Sequence, residues 1–392
     1  MGASKQIIVY LLPELCKITV KEKFFLFWNF NMDRLRIWFD ILTPKQVLFF
    51  KPVVDNLLSS GKSVLCTSRK YRECTELARK KLLHLEIIGR YGGPLKYDKL
   101  RQSAKRTYEL AKTVKEFEPD VAISFCSPES ARVAFGLGIR QIVFNDSPHA
   151  YAVGKLTIPL AQFLLCPWII PYNAWRNFGI QRKQIIRYRA LDPAVWLKRQ
   201  QIKDVPMLEI LRSKYQLTKE KTIVIRTEET KAAYMIHNKN KNSISLIQSL
   251  VENFHKTTNI LILCRYEEQV KEVSRRFGSK VTVLDQIVDG MELISTADIF
   301  IGAGGTMTAE AALLGKPTIS ISPIRFYVDD YLIRTGLVKK VRGPENLVQT
   351  VRKIMNDDSS IIRQNKLASR ILSKMEDPMT KLNKILDSYI TL

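Results

Sequence analysis

One stretch constrains the fold of this chain more than any other: Ala297-Asp-Ile-Phe-Ile-Gly-Ala-Gly-Gly-Thr-Met-Thr-Ala-Glu-Ala-Ala-Leu-Leu-Gly-Lys-Pro317. It reads as a strand, a glycine loop, a helix and the approach to another strand, with no residue to spare. Asp298 to Ile301 is a short apolar strand. Gly302, Gly304 and Gly305 let the backbone turn sharply and approach a ligand, and Thr306 or Thr308 is expected to cap a helix whose first N–H groups face an anion. Gly315 is expected to end that helix in a left-handed cap, and Pro317 bars its continuation. A tight turn in any α/β domain shares this outline, so the loop alone leaves its ligand open.

The same alternation runs through the chain twice. From Leu35 to Phe144, short apolar strands at 35–41, 63–67, 85–88, 119–125 and 141–144 alternate with helices at 47–58, 73–81, 97–117 and 129–137. Pro52 is expected to begin the regular part of the first helix, and Gly61 to end it. A second array runs from Thr222 to Ser322, with strands expected at 222–226, 259–263, 280–284, 298–301 and 318–322. Strands alternating with helices imply parallel, doubly wound sheets. The predicted fold class is therefore α/β, two Rossmann-like domains facing across a cleft at the carboxyl ends of both sheets. The expected organisation is an extension at 1–31 that need not be native, domains at 32–175 and 217–375, an interdomain segment at 176–216 and a C-terminal helix at 376–392.

A chain of 392 residues suits two domains, because a single core stops growing near roughly 250 to 300 residues. Its 62 Lys and Arg against 38 Asp and Glu give a net charge of +24. Such a field attracts a nucleotide, a lipid phosphate or an anionic membrane surface, although a solvated basic surface has the same composition. Nucleic acid ranks last among the partners, since no nucleic-acid module or basic run interleaved with aromatics stands out. Cys16, Cys66, Cys74, Cys126, Cys166 and Cys264 form no C-x-x-C pair, which fits a reducing cytoplasm without zinc or disulfides. The four histidines are too scattered to suggest a metal cluster, so no metal and no cofactor is expected. Residues 151–170, the nearest approach to a membrane span, contain Lys155 and two prolines and are expected to form a buried helix and then a buried strand.

His149 is the candidate general base. It follows a strand end by a few residues and stands three positions after Asp146, so both can face the cleft, and an unperturbed imidazole titrates near neutrality. Asp146 either orients it or acts as base itself. Glu129 and Ser127, at the preceding strand end, are further cleft candidates. Capping of the next turn by Asp146 and Ser147, with His149 at the surface, remains the structural alternative.

Two segments resemble GT-B glycosyltransferases and the related UDP-N-acetylglucosamine 2-epimerases. Pro119-Asp-Val-Ala-Ile-Ser-Phe125, then Leu137-Gly-Ile-Arg-Gln-Ile-Val-Phe144 and Asn145-Asp-Ser-Pro-His149, is similar to the end of the acceptor domain in the N-acetylglucosaminyltransferase that forms lipid II. Ala297 to Pro317 is similar to the donor loops of both groups. The span from Met32 resembles a largely archaeal family known as domain of unknown function 354. The resemblance implies that Gly304, Gly305 and Thr306 lie against a diphosphate and that Glu310 accepts from ribose hydroxyls. It also implies that Arg226 and Thr227 contact phosphate, although Glu228 and Glu229 beside them depart from the usual pattern and either face away, bind a sugar hydroxyl or act in catalysis. Asp329 and Asp330 stand where relatives contact the donor sugar. Thr43-Pro-Lys-Gln46 replaces the relatives' glycine-rich loop near the acceptor, where Lys45 is either an acceptor-phosphate ligand or an exposed turn lysine.

Three functions follow. The first is transfer of a sugar from a nucleoside diphosphate, UDP in the resemblance, to an acceptor that includes lipid phosphates among its candidates. The second is UDP-sugar 2-epimerisation, drawing on Asp146, Glu129, Glu228, Glu229 and His149. The third is a non-catalytic nucleotide-binding or membrane-associated scaffold. A cytoplasmic location, with peripheral attachment at the inner face of the membrane, accompanies the first.

Overall fold

A computed structural model describes residues 35–93, 95–199, 207–228, 242–284, 289–324 and 326–390. The expected extension at 1–31 and Glu229 lie outside the described residues. The first half runs β1 (Arg36–Asp40), α1 (Pro44–Ser59), β2 (Ser63–Lys70), α2 (Arg72–Lys80), β3 (Glu86–Arg90), α3 (Lys96–Phe117), β4 (Val121–Ser124), α4 (Pro128–Gly136), β5 (Arg140–Phe144), α5 (Tyr151–Thr157), β6 (Phe163–Pro167) and β7 (Ile185–Tyr188). Helices α6 (Ala194–Leu197) and α7 (Met207–Tyr215) lead onward. The second half runs β8 (Lys221–Arg226), α8 (Asn242–Phe254), β9 (Thr258–Leu263), α9 (Glu267–Phe277), β10 (Thr282–Leu284), α10 (Gly290–Ser295), β11 (Ile299–Gly302), α11 (Thr306–Leu313), β12 (Thr318–Ser320), α12 (Tyr327–Arg334) and β13 (Val338–Lys340). Helices α13 (Pro344–Met355), α14 (Asp358–Ser373) and α15 (Pro378–Ile390) complete the chain.

The first sheet has the order β3-β2-β1-β4-β5-β6-β7 and the second β10-β9-β8-β11-β12-β13, with every pairing parallel. In each sheet the strand order reverses beside its first strand, at β1/β4 and at β8/β11. Such switch points leave a crevice at the carboxyl ends, where ligands bind. The segments after β1, β5, β7, β9, β11 and β12 supply the residues that line the cleft described below.

Burial explains the elements that hold this frame. All four residues of central β4 are buried, as a parallel strand covered on both faces requires. Helix α1 buries Phe49 and Phe50, and their rings meet Phe125 and Phe144 at centroid distances of 4.7 to 5.7 Å. The helix begins at Pro44, whose missing N–H is harmless at a first position. Pro52 thus lies within the helix rather than at its start, a correction to the sequence reading.

Residues 176–216 are not simply a linker, because they contain β7, the edge strand of the first sheet, followed by α6 and α7. All four residues of α6 are buried, and the apolar core of the first half continues through them to Ala309, Leu313 and Leu332 of the second. The C-terminal segment returns to the first half. The Glu376 carboxylate accepts from the Arg189 N–H at 2.6 Å, and the Tyr389 hydroxyl donates to Gln162 at 2.6 Å. The helix expected at the start of 151–170 is not buried: much of α5 faces solvent, and β6 behind it is the buried element. Among the described residues no helix is long and apolar enough to cross a membrane.

Candidate active site

The two halves enclose a cleft of about 280 Å³. Lys45, Asp146, Ser147, His149 and Asp192 line it from the first half, and Arg265, Gly304, Gly305, Thr306, Phe326 and Asp329 from the second.

The glycine loop forms the second half's wall. Gly304 and Gly305 have φ of +92° and +88°, a region that favours glycine. Gly305, not a threonine, occupies the cap position of α11 and offers no side-chain acceptor, while Thr306 is the first helical residue. The helix therefore presents its first N–H groups and the positive end of its dipole to the cleft. Gly302 and Thr308 correct the expectation of ligand contact: Thr308 is fully buried, and a Cβ at Gly302 would collide with its hydroxyl. They are a packing pair behind the loop. Gly315, at φ +77°, ends the helix as expected.

Arg265 was missed in the sequence, yet it extends beyond β9 just as Arg226 ends β8, and its guanidinium approaches Gly305. Arg226 donates to the carbonyls of Leu263 and Cys264 at 3.2 and 2.9 Å. Burial, followed by repulsion from Arg265, pushes its pKa down to about 9. An anion in this corner would relieve that repulsion. Arg226, Thr227 and Glu228 do not line the cleft, so of the arginines in this corner only Arg265 reaches its wall. The Thr227 hydroxyl donates to Gln269 Oε1 at 3.0 Å, and Gln269 Nε2 donates to the Glu228 carbonyl at 3.1 Å, so this part of the loop is braced.

Opposite lies a charge cluster in which Asp192 is buried and Lys45 and Asp146 are half-buried. Lys45 Nζ is 2.6 Å from Asp146 and 2.5 Å from Asp192, and the Tyr188 hydroxyl donates to Asp192 at 2.5 Å. Burial would lower the Lys45 pKa, but the two carboxylates outweigh it and raise it. Burial likewise opposes ionisation of Asp146, yet Lys45 and the Ser147 hydroxyl hold its carboxyl below the usual range. Burial and neighbouring Asp146 leave Asp192 raised despite Lys45. Lys45 is thus neither an exposed turn lysine nor an unpaired phosphate ligand. Gln46 accepts from the Leu42 N–H at 2.6 Å and closes the β1–α1 turn, while Thr43 takes the cap position of α1 without a side-chain bond.

His149 faces the second half, its ring 4.4 Å from that of Phe326. Burial lowers its pKa below the ordinary value, with Asp146 pulling the other way, so the imidazole is neutral and able to accept a proton at neutral pH. Asp146 is too firmly ion-paired for that task. Glu129 is corrected outright. It is buried beside Arg106 at 3.7 Å and accepts from Ser127 at 3.3 Å, while Arg106 grips Asp40 with contacts of 3.1 and 2.5 Å. These residues fasten α3 to the sheet, and Ser127 caps α4.

Glu310 is also corrected. Its carboxyl is buried away from the cleft wall, accepts from the Trp196 indole N–H at 2.9 Å, and is pushed by burial to a pKa of about 8. Asp329 does line the cleft, with one buried oxygen lacking a hydrogen bond and burial raising its pKa to about 6. Asp330 sits beside it in the first turn of α12 but is not part of the wall.

Two parallel α/β halves meeting across such a cleft define the GT-B fold, shared with UDP-GlcNAc 2-epimerases and glycosyltransferases. The chain belongs to the family described as "Protein of unknown function (DUF354)", whose model matches residues 35–387. It is similar to an uncharacterised protein of Methanocaldococcus jannaschii, 29% identical over 305 residues, 77% of this chain and 86% of that one. It is also similar to the lipid-A-disaccharide synthase of Persephonella marina, 25% identical over 341 residues, 80% of this chain and 82% of that one. Among solved structures, UDP-GlcNAc 2-epimerase from Neisseria meningitidis bound to UDP-GlcNAc shares the fold at a TM-score of 0.70 and 15% identity, covering 90% of this chain and 100% of that one.

Proposed function

We propose that this protein is a glycosyltransferase that moves a sugar from a nucleoside diphosphate, UDP by analogy with the similar structures, to an acceptor held against the first half. One observation carries the reading: the uncapped α11 N-terminus and Arg265 face His149 across a single cleft. In this scheme the diphosphate lies against Gly304, Gly305 and Thr306, with Arg265 and Arg226 balancing its charge. Asp329 accepts from a donor-sugar hydroxyl. Neutral His149 removes the proton of the acceptor hydroxyl as its oxygen attacks the anomeric carbon. The bond to the diphosphate breaks, and the helix terminus and arginines stabilise the departing charge. The scheme calls for no cofactor. Similarity to a lipid-A-disaccharide synthase supports a lipid-borne acceptor and, with it, a cytoplasmic protein working at the inner membrane face.

The similarity to a UDP-GlcNAc 2-epimerase favours a second reading. Its chemistry needs groups that remove and return a proton at C2, and the cluster reduces the supply: Glu129 serves Arg106 and Asp146 serves Lys45. This supports transfer over epimerisation. Incubation with UDP-GlcNAc in heavy water separates the two. Transfer predicts no deuterium at C2 and release of UDP only with acceptor, whereas deuterium at C2 without acceptor would overturn it.

A further inference from the structure

No acidic residue occurs between Asp146 and Asp192, while the same stretch holds Lys155, Arg176, Arg182, Lys183, Arg187 and Arg189. The bias extends to the whole first half: residues 35–199 carry 28 Lys and Arg against 13 Asp and Glu, and residues 207–392 carry 28 against 21. The stretch folds into α5, β6, β7 and their connecting 3-10 turns at one edge of the first sheet.

These pieces form one surface. Gly154 lets α5 lie directly on the turn Arg176–Phe178, because a Cβ there would collide with the Phe178 ring. The Tyr151 ring sits 5.5 Å from Phe178. Tyr151 is 57% and Leu156 60% exposed, and Lys155, Arg176, Arg182 and Lys183 are exposed around them. Cations also rest on the aromatic faces: Lys155 lies 5.4 Å from the Tyr151 centroid, and Arg182 and Arg187 lie 4.6 and 4.4 Å from that of Tyr172. Helix α5 starts two residues after His149, so the surface abuts the cleft.

We infer that this surface docks on an anionic lipid bilayer. Exposed aliphatic and aromatic groups with cations among them suit the boundary between acyl chains and negative headgroups. A single-stranded nucleic acid is the poorer fit, because cations already occupy the tyrosine rings on which bases would stack and Leu156 has no role against a phosphate backbone. Docking stands apart from the proposed transfer reaction. Only its consequence, delivery of a membrane-borne acceptor beside His149, rests on that reading.

The test is co-sedimentation of the full chain, without nucleotide sugar, with vesicles of equal parts phosphatidylglycerol and phosphatidylcholine and with phosphatidylcholine alone. The protein is expected on the anionic vesicles and not on the neutral ones. Lys155→Glu with Arg176→Glu and Lys183→Glu should lower the bound fraction about tenfold or more. Leu156→Ser should weaken whatever binding persists at high salt. Arg275→Glu with Lys339→Glu and Lys366→Glu, an equal charge change on exposed positions of the second half, should leave binding near wild type. Equal loss in both triple variants would reduce the effect to net charge and overturn the surface, as would no vesicle binding alongside tight binding to single-stranded RNA. Thermal shifts with UDP on the same preparations report on the transfer reading separately, and their loss with vesicle binding intact would leave docking standing.

Discussion

Lys45 and Asp146 stand 101 positions apart in the chain and are joined by a 2.6 Å ion pair at the mouth of the cleft. Asp192 makes the pair a triad. One ammonium between buried Asp192 and half-buried Asp146 leaves an excess negative charge, and the Tyr188 hydroxyl meets it by donating to Asp192. The triad ties the β1–α1 turn, the β5–α5 loop and the segment before α6 together. It therefore fixes where His149 begins.

Removing the cation should be costly. Lys45→Met would leave buried Asp192 and half-buried Asp146 without their partner. Breaking a fully buried pair costs about 3 to 5 kcal/mol, and the partial exposure of Asp146 brings the expected loss to the low end of that range or below it. Urea unfolding of Lys45→Met, and of the same variant with Asp192→Asn, measures this. The second substitution should restore part of the loss, and full stability of Lys45→Met would show that the triad contributes nothing.

His149→Ala should reduce turnover by about 10² to 10⁴, the usual range for a general base, with UDP affinity near wild type. Because burial lowers the His149 pKa, the neutral base persists below the ordinary histidine range. The acid limb of the rate profile should accordingly fall below pH 6.5, the unperturbed value. A profile unchanged by the substitution would remove His149 as the base.

Arg265→Ala should weaken UDP binding on the order of ten- to a hundredfold, equivalent to losing a charge-assisted hydrogen bond. Gly305→Ala should weaken it too, because residue 305 has φ +88° and a side chain there strains the loop that offers the helix N–H groups. Isothermal titration with UDP checks both. Wild-type affinity in Arg265→Ala would place the diphosphate elsewhere.

Glu310 gives a stability signature. Its folded pKa, about 8, lies above the ordinary 4.5, so its contribution is full below the unfolded value and is lost as pH rises through about 8. Each tenfold change in proton affinity is about 1.4 kcal/mol, which makes the loss a few kcal/mol at most. The wild type should lose melting temperature between pH 5 and pH 9, and Glu310→Gln should lose less. Parallel curves for the two proteins would contradict a buried neutral acid.

Some of this could be read directly along the chain. The strands and helices of both arrays, the αL glycine after α11 and the two-half architecture follow from local patterns, because strand burial and helix ends leave marks within a few residues. The edge strand β7 and the elements α12, β13 and α13 lacked so clear a mark. Lys340 and Lys339 interrupt the apolar pattern of three-residue β13, and Ile185 to Tyr188 contains an arginine. Arg265 was within reach of position alone, because a residue just past a parallel strand's carboxyl end faces the crevice, whereas the family resemblance pointed to Arg226.

The two parallel sheets and the glycine loop are legible in neighbouring residues, since backbone conformation and alternating burial are encoded locally. The state of the charged side chains depends instead on contacts made by folding. Asp146, Glu129 and Glu310 are alike in sequence as acids near strand or helix ends. Folding places them against Lys45, Arg106 and Trp196, respectively. Because ionisation depends on burial and on partners brought together from distant positions, it turns equivalent carboxyls into a locked ion pair, a structural brace and a neutral acid, and leaves His149 as the neutral side chain lining the cleft opposite the glycine loop.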